Sequence, residues 1–307
     1  MERTLCVLDE REVWQGPLIS AARQRGWHAR RVLAGYDTGA TEKGFGFIRP
    51  HADPARLRIN QSVDDPAMRA RLRMFQDRAQ IEVYENKTEQ WRRWGRFMPE
   101  TWLVTNRDQL DAIDLPFPLV SKANEGASSV NVRILGDRDA LRRHSAQVFT
   151  SGISVNCCAG SAKVTQKDYL FLQRFIPHEI TWRVNIVGRQ LAIFRRFCYP
   201  TRPVAQTGNV EPVKIMDAVT HDLLQYAGAV FAALETRWCA IDVLRDGDRW
   251  RLLETSLAWP WPSPGDCDNG VFFIEQDDAF VPSGRRWIDM MDVLLDEAEA
   301  DVWNRAA

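Results

Sequence analysis

The sequence has almost no imbalance of charge. Its 40 Lys and Arg residues face 41 Asp and Glu, for a formal net charge of −1. A chain that grips polyanions needs a broad field of one sign, so a general nucleic-acid footprint is not indicated and only a local basic patch stays open. Long hydrophobic runs are also missing. No apolar stretch approaches the roughly 20 residues that cross a bilayer, so no membrane partner is expected. The opening Met1-Glu2-Arg3-Thr4 leads into an apolar run too short for a secretory signal. Cysteine is sparse: Cys6, Cys157, Cys158, Cys198, Cys239 and Cys267 show no metal-ligand spacing and read as reduced thiols of a cytoplasmic protein. There is no GxGxxG after the first apolar strand and no GK[ST] opening a helix, which removes the dinucleotide and P-loop signatures. Neither a Ser-His-Asp nor a Cys-His arrangement is visible, and there is no internal repeat or low-complexity tract.

What is present centres on residues 238–261, WCAIDVLRDGDRWRLLETSLAWPW. Two apolar runs flank Arg245-Asp246-Gly247-Asp248, a hairpin signal. Each run carries one carboxylate, Asp242 and Glu254, and the loop length decides whether they meet. A two-residue turn at Asp246-Gly247 sets Asp242 opposite Arg251 and sends Glu254 to the other face. A three-residue turn over 246–248 sets Asp242 opposite Leu252. Glu254 and Ser256 then share its face, with Asp242 and Glu254 as diagonal neighbours about 7–8 Å apart. Two solvated strand acids are the plain reading of either residue alone. The pair with Ser256 favours a divalent metal, because like charges held together raise a pKa unless a cation such as Mg²⁺ removes the repulsion.

The rest of the chain frames that hairpin. Strands at 4–8 and 28–33 flank a helix at 16–25, a β-α-β start for a small parallel sheet. The aromatic segment 44–51 reads as a packed strand edge or a substrate-facing loop, and 64–76 as a charged helix with Arg69, Arg71 and Arg73 on a solvated face that Arg78 extends. A helix from Asn86-Lys87 to Trp94 ends at Gly95. Strand 119–122 ends in Lys122 and opens into the small-residue loop 123–129, where backbone N–H groups can approach phosphates. Residues 151–167 and 199–214 read as loops, 139–149 and 217–234 as helices, and 169–173 as a buried strand leading to a linker at 174–179. A second hairpin turns at Gly188-Arg189. With a two-residue loop, Arg183 opposes Phe194 and shares a face with Arg196, and two convergent guanidiniums suit an anion.

The ordered set resembles the ATP-grasp superfamily, closest to the ribosomal-protein-S6-modification-like carboxylate–amine ligases. It is carried by Asn86-Lys87, Met98-Pro99-Glu100-Thr101, Pro118-Leu119-Val120-Ser121-Lys122, Leu172-Gln173-Arg174-Phe175-Ile176, Trp182-Arg183-Val184, Ile241-Asp242-Val243 and Leu253-Glu254-Thr255-Ser256. The resemblance implies an α/β (α+β) class: a small N-terminal parallel α/β domain at 1–85, then two α+β subdomains clamping ATP at 86–173 and 174–307. It implies that Lys87 and Lys122 contact ATP phosphates, and that Gly126, Ala127, Ser128 and Ser129 cover them. Gln173, Arg174, Phe175 and Ile176 would line the adenine hinge, and Glu179 would take the ribose hydroxyls. Asp242 and Glu254 would hold two Mg²⁺ ions with Ser256 beside them, and Arg183 and Arg196 would bind an acyl phosphate. Three positions depart from the family pattern: Ser256 stands for an Asn, Arg174 for an acid, and Thr181 for an Asp. The implied activity is ADP-forming amide synthesis from a small-molecule or peptide carboxylate and amine, with a homodimer as a common arrangement. An ATP-grasp phosphotransferase, a nucleotide-binding regulatory protein with a decayed site, and a nucleotide-independent structural protein are the alternatives. Substrate determinants are expected in 44–51, 199–214 and 259–270.

Overall fold

The structure is a computed structural model that describes residues 3–8, 16–32, 44–48, 64–84, 86–125, 131–156, 163–199, 202–211, 218–257, 271–277, 279–283 and 287–304. The loop residues 126–129, His51 and the segment 259–270 lie outside these. The first sheet holds β1 (Thr4–Leu8), β2 (His28–Val32), β3 (Gly44–Ile48) and β4 (Leu72–Met74) in the order β2-β1-β3-β4, all parallel. Helix α1 (Gly16–Gln24) makes the expected β-α-β crossover. Two expectations are corrected here. The aromatic segment is neither an edge nor a substrate-facing loop over its described part, since β3 runs between β1 and β4 with Phe47 and Ile48 fully buried. The helix expected over 64–76 stops early. Helix α2 (Pro66–Arg71), capped by Asp65, gives way to β4, because Leu72 is buried between alternating arginines and satisfies the strand period better than the helical one.

Helices α3 (Arg78–Glu82) and α4 (Lys87–Trp94) lead to the second sheet. Its strands are β5 (Thr101–Val104), β6 (Leu119–Lys122), β7 (Val132–Leu135) and β10 (Leu170–Arg174), ordered β5-β10-β6-β7 and antiparallel. The short α5 (Gln109–Ala112) and the longer α6 (Arg138–Thr150) lie in this region, and Leu110, Leu141 and Val148 join the sheet's core. The loop expected over 151–167 contains a hairpin, β8 (Ile153–Asn156) with β9 (Lys163–Gln166), whose Ile153 and Val155 are buried.

The third sheet holds β11 (Ile180–Val187), β12 (Gln190–Tyr199), β13 (Arg202–Glu211), β14 (Trp238–Asp246), β15 (Arg249–Ser256), β16 (Val271–Gln276) and β17 (Ala279–Pro282). Its order is β15-β14-β11-β12-β16-β17, with β13 also paired to β12. Strand β13 occupies 202–211 of the loop expected over 199–214. Its Pro203 and Gly208 suit a strand paired on one side, where a missing ladder donor is tolerated. One face of this sheet packs Val184, Ile186, Ile241 and Val243 under helix α7 (Ala218–Leu234). The opposite face packs Val187, Ala192, Phe194 and Trp238 against the first sheet and helix α8 (Trp287–Asn304). No helix among the described residues is long and apolar enough to cross a membrane.

Candidate active site

Strands β14 and β15 join through Gly247-Asp248, with Asp246 opposite Arg249. Gly247 has φ 62°, the left-handed backbone that glycine supplies without a Cβ penalty at the first position of such a turn. This is neither turn that the sequence suggested. Pairing runs regularly to Val243 opposite Leu252, then shifts by one, so that Asp242 faces Glu254 directly and Ile241 faces Thr255. Leu253 is the extra residue of a β-bulge. Without it this turn would set Asp242 against Leu253 and send Glu254 onto the apolar face with Ile241. The three-residue turn is therefore corrected, while the meeting of the two carboxylates stands and is closer than diagonal. By strand alternation Ser256 lies on the face of Glu254.

The second hairpin has the register read from the sequence: Val187 opposite Gln190 and Arg183 opposite Phe194. Arg183 also stands opposite Asp242 on β14. Its Nη1 lies 3.1 Å from Asp242 Oδ2, and Arg196 Nη1 lies 3.2 Å from Oδ1, so one carboxylate is shared by two guanidiniums. Asn185 Oδ1 accepts from Arg183 Nε at 3.3 Å and fixes the plane of that fork. Arg195 points to the other face, over the Trp182 ring at 6.0 Å. The Arg183–Asp242 row continues into Asn185, Ala192 and Val187, which are sealed by the first sheet and α8, so the charged cluster sits at the open end of an otherwise buried face.

The lysines arrive from the other side. Lys87 opens α4 and its Nζ lies 3.4 Å from Glu254 Oε1. Lys122 ends β6. Burial lowers its pKa to about 8; Glu254 and Asp242 pull it upward and Lys87 pushes it down, which ties it to the same cluster. The N-terminal N–H groups of α4 are already taken. Asn86 accepts from Glu89 N, Asn124 O from Lys87 N at 3.1 Å, and Asn124 Oδ1 from Thr88 N at 2.8 Å. Gln166 Oε1 in turn accepts from Asn124 N at 2.8 Å. An anion here meets side chains rather than the helix end, and the root of the small-residue loop is latched to the Lys87 helix. Asn124 and the buried Gln90 were not legible in the sequence, since a polar residue inside a loop or helix carries no signal of its partner.

The expected hinge is less uniform. Gln173 is buried and its Nε2 donates to Thr101 Oγ1 at 3.0 Å. Arg174 pairs with Asp246 at the hairpin turn, and Arg251 joins from 3.3 Å. Burial pulls the Asp246 carboxyl upward, but these two arginines together hold it below its ordinary range. The side chains of Gln173 and Arg174 are thus committed within the protein. Phe175 N donates to Pro118 O at 3.2 Å and His178 Nδ1 to Ile176 O at 2.7 Å. His178 was not singled out by the sequence; burial lowers its pKa, as does the charge of Lys122, against the raising effect of its bond to Ile176 O. Glu179 is exposed at the hinge's end.

Among the described residues no group of three or more His, Cys, Asp or Glu side chains converges. The available set is the facing pair Asp242 and Glu254, with Ser256 beside it. Mg²⁺ is ordinarily held by one or two carboxylates, with water and phosphate oxygens filling its remaining positions, and this hard-oxygen pair fits that ion in the company of a polyphosphate.

No family model matches the chain, and no curated protein matches it. Solved structures do. A D-cycloserine synthetase, DcsG, superposes with a TM-score of 0.65 at 15% identity, covering 96% of this chain and 99% of its own. The D-alanine–D-alanine ligase of Bacillus anthracis, complexed with ATP, gives 0.63 at 13% identity with both chains fully covered. A RimK-domain ATP-grasp protein from Sphaerobacter thermophilus gives 0.54 at 18% identity over 82% of this chain and 90% of its own. The chain has the ATP-grasp fold, as the ordered set of short motifs implied.

Proposed function

We propose that this chain is an ATP-dependent carboxylate–amine ligase that releases ADP and phosphate. The reading rests on one observation: Asp242 and Glu254 face each other, with Lys87 on Glu254 and both Arg183 and Arg196 on Asp242, and Lys122 feels the charge of both carboxylates. Four cations stand against two carboxylates among these six side chains, and that excess of positive charge suits a polyphosphate. The reading requires no covalent nucleophile, because phosphoryl transfer asks for positioning and neutralisation rather than covalent help.

In this reading Lys87 and Lys122 hold the phosphates, and Gly126, Ala127, Ser128 and Ser129 cover them. The hinge from Gln173 to Ile176 receives the base through its main chain and the Phe175 and Ile176 side chains, and Glu179 takes the ribose. Asp242, Glu254 and Ser256 hold Mg²⁺, one ion or two, which supplies neutralisation of the phosphate charge. A substrate carboxylate oxygen attacks the γ-phosphorus, and the bond to the ADP oxygen breaks. The amine then attacks the acyl carbon, phosphate leaves with the bonding pair, and the amine gives up a proton. Arg183 and Arg196 stabilise the acyl phosphate between the steps. They share Asp242, so if Asp242 held an ion, these guanidiniums would give up its oxygens and would be available to phosphate. The substrates are a small-molecule or peptide carboxylate and amine.

The test is stoichiometric. With an active pair of substrates, ADP, phosphate and amide should form in equal amounts, and AMP with pyrophosphate would refute the acyl phosphate route. Glu254→Ala should abolish turnover with the fold intact by circular dichroism. A second reading, a nucleotide-binding protein that does not turn over, is favoured by Ser256 and by the two-arginine hold on Asp242. Tight Mg·ATP binding with no ADP release across a broad panel of acids and amines would select it, and a stable phosphorylated product would select a phosphotransferase.

A further inference from the structure

We propose that Gln90 is a positioning residue that sets Lys87 against Glu254 and thereby tunes the affinity for Mg²⁺-bound nucleotide; this rests on the ligase reading of the site. Strand β15 is an edge of the third sheet, with β14 on one side only. The backbone groups on its outer side need partners from elsewhere. Gln90, fully buried on α4, supplies them for a single residue. Its Oε1 accepts from Thr255 N at 2.9 Å, and its Nε2 donates to Thr255 O at 2.8 Å and to Val83 O at 2.9 Å. A carboxamide carries a donor and an acceptor side by side, so it docks on the strand as one residue of a neighbouring strand would.

The place where it docks gives this contact a role beyond packing. Thr255 lies between Glu254 and Ser256, the residues assigned to the metal. Gln90 is three residues after Lys87, so the two project from one side of α4. One side chain therefore fixes the backbone of the metal strand while its neighbour on the helix reaches the metal carboxylate at 3.4 Å. The same first turn of α4 is latched through Asn124 to the root of the small-residue loop. The first turn of α4 thus ties the loop of the second sheet to strand β15 of the third, and Gln90 is its fixed point on that strand. A residue that merely filled space would be replaceable by any side chain of its volume.

The full chain and two variants are titrated with ADP, with and without Mg²⁺, by calorimetry. Gln90→Met keeps the volume and removes all three hydrogen bonds. It should weaken Mg·ADP by about 10- to 100-fold, the range for losing a group that orients a metal ligand, and weaken Mg²⁺-free ADP, which meets Lys87 but makes no use of the carboxylates, by clearly less. Gln90→Asn keeps the amide one methylene short and carries the same titrations if the Met variant does not fold. Equal weakening with and without Mg²⁺, or none, overturns the inference. In the unaltered chain the Thr255 amide should be among the slowest to exchange with deuterium on β15, and rapid exchange there also overturns it. Failure of the unaltered chain to bind Mg·ADP is a different result: it refutes the ligase reading itself.

Discussion

Lys122 is an ammonium group held where burial disfavours its charge. Its pKa of about 8 has a consequence whose sign is fixed. Below that value the group is positive and, on the ligase reading, would meet phosphate; as the pH rises through it, the charge is lost in the nucleotide-free protein. Affinity for Mg·ADP should therefore fall above about pH 8, well below the ordinary lysine range, and binding at pH 8.5 should take up a proton. Lys122→Arg keeps its charge throughout and should flatten the profile, measured as Kd between about pH 7 and 9.5. His144 works in the opposite range. Its Nε2 meets Ser121 Oγ at 2.9 Å beside Lys122, and burial, with Arg133 nearby, lowers its pKa to about 4. The unfolded chain protonates this histidine first, near 6.5. Its contribution is whole above that pH and is lost as the pH falls toward 4, by at most about 3 kcal/mol. Urea unfolding at pH 7 and at pH 4.5 should show the loss, and His144→Gln should reduce the difference between the two.

Among the elements, legibility followed how local the determining physics is. The β-α-β start, helix α4 ending at Gly95, and the register of the Arg183 hairpin were all readable, because periodicity and turn residues act within a few positions. The bulge at Leu253 was not, since it is selected by which face of β15 the sheet buries. Strand β13 was hidden by proline and glycine, and β4 by its arginines; both are strands only because a neighbour offers pairing. The glycines of β3 have their reason in the same tertiary contact. A Cβ placed on Gly44 would sit 2.5 Å from the Thr4 carbonyl oxygen, and that atom is backbone and cannot swing away. Gly44→Ala should push β3 off β1 and cost about 1–3 kcal/mol or more. Gly247, with open space around it, should cost only its backbone strain on changing to Ala, about 1 kcal/mol. Denaturant midpoints of the two variants would show that ordering, and equal costs would count against the close approach of β1 and β3.

At the scale of the molecule, the first and third sheets share one core with α8, while the second sheet reaches the third through α4 and through the Arg174–Asp246 pair. The charged cluster lies where those two groups of elements meet, so a ligand there is gripped from both sides and adds a bridge that the polypeptide itself makes only sparingly. Neither half alone makes the site: Lys122 comes from the second sheet, and Asp242 and Glu254 from the third. Mg²⁺ alone has little to bind, because each carboxylate is already satisfied by a lysine or by arginines and no third acid is near among the described residues. ADP alone meets the cations but leaves its own charge uncompensated beside Asp242 and Glu254. On the ligase reading the two together would compensate each other, the ion relieving the repulsion between phosphates and carboxylates. Stabilisation on heating should therefore be synergistic: small for Mg²⁺ or ADP separately, and about 2.7 kcal/mol for both when the complex is at 100 times its Kd. A thermal melt with four samples (neither, each, both) reads this directly. A shift with Mg²⁺ alone as large as with both would mean a metal site independent of phosphate, against the two-carboxylate arrangement. No shift in any sample would leave the fold as a scaffold without nucleotide.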